Sequence, residues 1–188
     1  MTNTMLHINP PSEFAPEQVS AALLDAFAPD GLAGQLGHEG FAGKKVVDVG
    51  AGDGRYTRVL SELGASEITS VEKHQCFIDD GMRKGWFTGR VVCADVVSLA
   101  TVTGHQFDQA TIMNISPQSA VEIIAATVSL IQPDGQLIVT LVEKWRTGEI
   151  DTFMRRHFPF VNAAKVWKGR RAQPAHNVMV VGSRKSVA

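Results

Sequence analysis

In the stretch VVDVGAGDG, Asp48 is followed by Gly50, Ala51, Gly52 and Gly54, between an apolar run and a segment of helical periodicity. Glycines at the mouth of a helix let the backbone turn sharply and approach a ligand closely, and the N–H groups of the helix start favour polar or anionic ligand atoms. A dinucleotide turn, GxGxxG, needs its third glycine at position 55, which is Arg55, so the observed DxGxGxG argues against that ligand. Glu72 ends the next apolar run eighteen residues after Gly54, where a carboxylate can accept hydrogen bonds from both ribose hydroxyls of a nucleoside. Asp95, in VVCADV, ends the run after that. The three carboxylates form one ligand site only if those runs are neighbouring parallel strands.

The periodicity supplies such strands. It predicts strand 45–49, helix 54–63, strand 67–72, helix 74–81, strand 90–94, strand 107–113, helix 117–131, strand 136–142 and helix 148–157. Alternating strands and helices call for a parallel sheet covered on both faces. The last two apolar runs, 158–167 and 178–182, have no helix between them and must pair antiparallel. Ahead of this lie an amphipathic helix expected over 16–28 and a loop punctuated by Gly31, Gly34, Gly37, Gly40 and Gly43, which fits either a lid or a plain linker.

The DxGxGxG turn, followed by Glu72 and Asp95 and by LIQPDGQLIV over 130–139, resembles the class I S-adenosylmethionine-dependent methyltransferases. The resemblance implies an α/β, Rossmann-like fold with a seven-stranded, mostly parallel sheet and a terminal antiparallel hairpin. It implies one globular domain, with residues 1–43 as an amino-terminal helix and glycine-rich loop and 44–188 as the methyltransferase part. It also implies S-adenosyl-L-methionine as cofactor, held by Asp48, Gly50, Ala51, Gly52, Gly54, Glu72 and Asp95, with Asp95 at the adenine amino group.

From DGQLIVTLVEKWRTGEI to AKVWKGRRAQPAHNVMVVGSRK the chain also resembles the FtsJ-type RNA ribose 2'-O-methyltransferases. That family's catalytic Lys, Asp, Lys and Glu are not matched: the aspartate becomes Asn114, the strand-five lysine Thr140 and the last glutamate Asn177, and the first lysine has no counterpart. Candidate catalytic residues are therefore Asn114, in NISP at the mouth of the fourth strand, and Lys144, beside Glu143 past the fifth. NISP is similar to the Asn-Pro-Pro-aromatic loop of amino-group methyltransferases, although Ile115, Ser116 and Pro117 break the pattern. His38 and His74 are lesser candidates for a base, and no His, Cys, Asp and Glu spacing suits a metal.

The charge is divided along the chain. Residues 1–143 carry 8 Lys and Arg against 17 Asp and Glu, and residues 144–188 carry 10 against 2, although the whole chain is at -1. A basic last quarter suits an anionic acceptor such as RNA, held through Lys165, Lys168, Arg170 and Arg171. A small-molecule methyltransferase, and a homologue that binds cofactor or RNA without chemistry, are the alternatives. The opening MTNTMLHINPPSEF lacks the charged and apolar regions of an export signal, and two cysteines are too few for a disulfide framework, so no membrane partner and a reduced, cytoplasmic setting are expected.

Overall fold

The computed structural model describes Leu24, Phe27 and residues 30–100, 106–115, 117–142, 148–168 and 176–184. In order, the elements are α1 Leu32–Gln35, β1 Lys45–Val49, α2 Arg55–Glu62, β2 Glu67–Glu72, α3 Gln75–Lys84, β3 Arg90–Cys93, α4 Val96–Ala100, β4 Phe107–Ile115, α5 Pro117–Leu130, β5 Ile131–Val142, α6 Gly148–His157, β6 Phe160–Lys168 and β7 His176–Ser183. The strands form a seven-stranded sheet in the order β3-β2-β1-β4-β5-β7-β6. The pairs within β3-β2-β1-β4-β5 are parallel, and β7 lies antiparallel between β5 and β6. This is the expected α/β sheet with its terminal antiparallel hairpin. Among the described residues no helix is long and apolar enough to cross a membrane.

Alternation within each strand divides the core between the two faces of the sheet. Val47, Val49, Ala110, Ile112 and Leu137 pack with Ile124 of α5 and Met154 of α6 on one face. Val46, Ile68 and Ile138 pack with Val59 and Leu60 of α2 on the other, where Phe27, Ala33, Leu36 and Phe41 complete the cover. Over residues 31–43 the glycine-rich loop packs against the sheet: Phe41 is buried against Phe27, and the Gly43 N–H donates to the Gly64 carbonyl. The amino-terminal helix expected over 16–28 lies outside the described residues except for Leu24 and Phe27, both helical and both packed on this face.

Most limits fall within two residues of the periodicity; two ends and one unpredicted short helix depart from it further. Helix α3 runs past Gly81 to Lys84 and ends at Gly85 in the left-handed conformation (φ 65°). Gly81 stays inside it because its missing side chain makes room for the Asp53 carbonyl and the Phe87 ring. The short α4 has too few turns to show a period. Strand β5 starts at Ile131, ahead of the turn-like PDG, because a register irregularity absorbs the extra residues between Phe107↔Ile131 and Gln109↔Gln136.

Candidate functional site

Strand order reverses between β1 and β4, so their carboxyl ends border the crevice where open α/β sheets bind ligands. The glycine turn occupies that position. Gly50, Gly52 and Gly54 all have positive φ (69°, 58° and 82°), which only glycine adopts without cost. No atom lies within 4 Å of where a Cβ would stand on Gly50 or Gly52, leaving an open cradle above the turn. Gly54 differs: a Cβ there would come within 2.7 Å of the Phe87 ring, so the turn is packed tightly from behind.

Glu72 ends β2 beside this turn. Its Oε2 accepts the Gly52 N–H at 3.0 Å and its Oε1 accepts the His74 N–H at 2.8 Å. The carboxylate, 6 % exposed, thus joins the glycine turn to the start of α3. Asp95 is exposed and caps α4, its Oδ1 accepting the Val97 N–H at 2.9 Å. Ala51 is buried, with its N–H on the Val71 carbonyl, so it shapes the turn through its backbone.

The expectation that Asp48 reaches the ligand is corrected. It is 1 % exposed, and its two oxygens accept the hydroxyls of Thr57 and Thr111, each at 2.9 Å. Ser70 in turn lies 2.8 Å from the Thr57 hydroxyl, which has already given its proton to Asp48, so Ser70 is the donor. Burial pushes the Asp48 carboxyl up to about 6, against the two threonine hydrogen bonds. Asp48 holds β1, β4 and α2 together one layer beneath the turn. Sequence reasoning missed Thr57, Ser70 and Thr111, although register pairs Asp48 with both Ser70 and Thr111, so polar residues at matched depths in three apolar strands were the available signal.

At the same end of the sheet, β4 and β5 lose register between Ile112↔Val139 and Ile115↔Leu141, setting three steps of β4 against two of β5. Asn114 lies in this bulge, a feature that re-aims side chains beside active sites. Thr140 is buried with its hydroxyl 3.6 Å from the Met113 sulfur, and Asn177 pairs with Val142 in the next strand. The backbone therefore gathers Asn114, Thr140 and Asn177 at one end of three adjacent strands. Glu143, Lys144, Arg170 and Arg171 lie outside the described residues, while Lys165 and Lys168 belong to the edge strand β6.

Of the histidines, His74 is exposed at the start of α3, and His38 is buried far from the turn. His38 accepts the Gly40 N–H on Nδ1 at 3.2 Å, and burial pushes it down to about 4, with the Gln109 side chain and the Glu39 charge pulling the other way. It belongs to the packing of the loop and is no base for a reaction at the carboxyl ends. A groove of about 760 Å3, lined by Lys45, Glu67, Arg90 and Gln106 among others, opens at the amino ends of the strands, at the opposite end of the sheet from the glycine turn, Glu72 and Asp95. No group of three metal-binding side chains occurs among the described residues.

No protein-family model matches the chain. Magnesium protoporphyrin IX methyltransferase (ChlM) from Synechocystis, solved with bound SAM, superposes with a TM-score of 0.63 at 16% identity, over 90% of this chain and 79% of that one. The 1,6-didemethyltoxoflavin-N1-methyltransferase of Burkholderia thailandensis, solved with S-adenosylhomocysteine, gives 0.60 at 19% identity over 95% and 94%. The chain has the class I methyltransferase fold. Two curated relatives, the ubiquinone biosynthesis O-methyltransferases of two Neisseria meningitidis strains, are 26% identical over 115 residues, or 57% of this chain and 48% of theirs. The chain thus spans about half the length of the curated relatives it matches. In this methyltransferase fold the glycine turn, Glu72 and Asp95 lie at the carboxyl ends of the three successive strands β1, β2 and β3.

Proposed function

We propose that the chain is an S-adenosylmethionine-dependent methyltransferase acting on an anionic acceptor, with RNA the first to test. The observation that carries this reading is Glu72, held by the Gly52 and His74 N–H groups beside the open cradle over Gly50 and Gly52. Each carboxylate oxygen has two lone pairs and spends one on the backbone, so one remains on each for a pair of ribose hydroxyls. Asp95 would meet the adenine edge, and the turn would lie against the amino-acid part of the cofactor. When bound, S-adenosylmethionine supplies an electrophilic methyl group on a sulfonium.

The chain's own residues then have to hold the acceptor in line with that methyl group, and placement alone can supply much of the acceleration. Asn114, in the β4 bulge, and Lys144, two residues beyond β5, are the candidates for orienting the acceptor or taking its proton. The FtsJ-type resemblance of the carboxyl-terminal half, without that family's tetrad, suggests an acceptor already nucleophilic near neutral pH. Lys165, Lys168, Arg170 and Arg171 supply positive charge in and just after β6 in the sequence, which suits an anionic acceptor. A small-molecule acceptor is the second reading, favoured because the ubiquinone biosynthesis and 1,6-didemethyltoxoflavin enzymes are named for small molecules.

Calorimetry with S-adenosylmethionine, S-adenosylhomocysteine and NAD tests the cofactor directly. Both sulfur compounds should bind and NAD should not, and Glu72→Ala should weaken binding by about 1–3 kcal/mol through the lost charge-assisted hydrogen bonds. Binding of NAD with no response to either sulfur compound would overturn the reading.

A further inference from the structure

The chain has two cysteines, both free and both exposed, and both flank Glu72. Cys93 is the register partner of Glu72 in the parallel β2 and β3 pair, so their side chains leave the sheet on the same face from strands about 4.8 Å apart. Cys76 follows Glu72 by four residues, in the first turn of α3. The segment between them ties the group together: the His74 N–H donates to Glu72 Oε1 at 2.8 Å, and the Cys93 thiol lies 3.8 Å from the Lys73 carbonyl, to which it donates. Cys93 is also two residues before Asp95. Neither thiol is needed to build the turn or the core, since neither is buried.

We infer that Cys76 and Cys93 form a thiol modification site that closes the cofactor site when it carries a low-molecular-weight thiol. The inference rests on the cofactor reading above. The step is thiol–disulfide exchange: a cysteine thiolate attacks one sulfur of a small disulfide, a new S–S bond joins that half to the protein, and the old S–S bond breaks. The other half leaves as a thiolate and takes up the proton that the cysteine lost. The cysteine sulfur is oxidised, the departing half is reduced, and excess thiol reverses the exchange. A tripeptide thiol attached at Cys93 stands on the face and at the depth of Glu72, where the ribose would lie. At Cys76 it stands against the turn that holds Glu72 Oε1.

The test uses the full chain with oxidised glutathione as probe. S-adenosylhomocysteine is titrated calorimetrically into reduced protein, into protein treated with oxidised glutathione, and into treated protein after dithiothreitol, with adducts located by peptide mass spectrometry. We expect an adduct on Cys93 or Cys76, an affinity lowered at least about tenfold, and full recovery on reduction. A Cys76→Ser/Cys93→Ser chain should bind like reduced protein and ignore the disulfide. An adduct that leaves the affinity unchanged, an equal loss in the double variant, or no adduct on folded protein under conditions that modify the urea-unfolded chain would overturn the inference. Reduced, folded protein that does not bind S-adenosylhomocysteine would instead overturn the cofactor reading beneath it.

Discussion

Asp48 and His38 are both buried titratable groups, and their effects on stability have opposite signs. The Asp48 carboxyl rises from 3.8 to about 6 on folding, so between those values the folded chain holds a proton that the unfolded chain has lost, and stability from this group falls as the pH rises. His38 drops from 6.5 to about 4, so in nearly the same window the unfolded chain holds the proton, and stability from this group rises with pH. The two slopes offset one another in the native protein. Urea unfolding followed from pH 4 to 6.5 should show Asp48→Asn losing stability more steeply on acidification than wild type, and His38→Asn less steeply or in the reverse sense. Identical slopes in all three proteins would show that neither group titrates as its surroundings dictate. Asn suits position 48 because its amide can accept from one threonine and donate to the other, so the cluster with Thr57 and Thr111 survives without the charge. Gly54 is a separate case: Gly54→Ala faces both a left-handed backbone and the Phe87 ring, and should cost about 1–3 kcal/mol in the same unfolding assay.

At the scale of elements, spacing made the strand-helix alternation legible because each strand's apolar run is bounded by glycine or a polar end. The limits of β2 and α6 agree with the periodicity to the residue. The glycine turn was legible for the same reason, since positive φ at alternating positions leaves its own mark in residue type. What could not be read was long-range. Gln136 lies ninety-nine residues from Gly37, yet its Nε2 donates to the Gly37 carbonyl at 2.9 Å and its Oε1 accepts the Glu39 N–H at 3.0 Å. Gln109 adds a bond to the Gly40 carbonyl at 2.8 Å. These two buried glutamines fasten the loop to the amino ends of β4 and β5, and no local pattern announces it. Gln136→Ala should therefore loosen 37–43 selectively. Hydrogen exchange at Gly40 to Gly43 should quicken while β1 stays protected, with a global loss of about 1–3 kcal/mol from the buried groups left unpaired. Uniform protection across the loop would show that Phe41 and its apolar neighbours hold it alone.

Across the whole molecule, the acidic part of the chain builds β1 to β5, while the basic last quarter supplies α6, β6 and β7 at one side of the sheet. An anionic acceptor of the kind proposed would be drawn by such a separation to the edge of the sheet beyond β5, and steering of that kind depends on salt. If the acceptor is RNA, its affinity should fall steeply as salt rises, and reversing the charges of Lys165 and Lys168 should flatten the slope. An affinity indifferent to salt would favour the small-molecule reading. The chemistry at the end of that path is constrained more sharply. The fold gathers Asn114, Thr140 and Asn177 at the carboxyl end of β4 and β5 and the start of β7, where the FtsJ-type pattern would place acid and base, and none of the three can accept a proton near neutral pH. A ribose hydroxyl is a poor nucleophile without such help, which is worth about 10²- to 10⁴-fold in rate. The transferred methyl should therefore be found on a ring nitrogen, an amine or an acidic hydroxyl. Digestion of product labelled from S-adenosylmethionine locates it. A methyl on a ribose 2'-oxygen, with turnover abolished in Lys144→Ala, would show that Lys144 serves as the missing base from beyond β5.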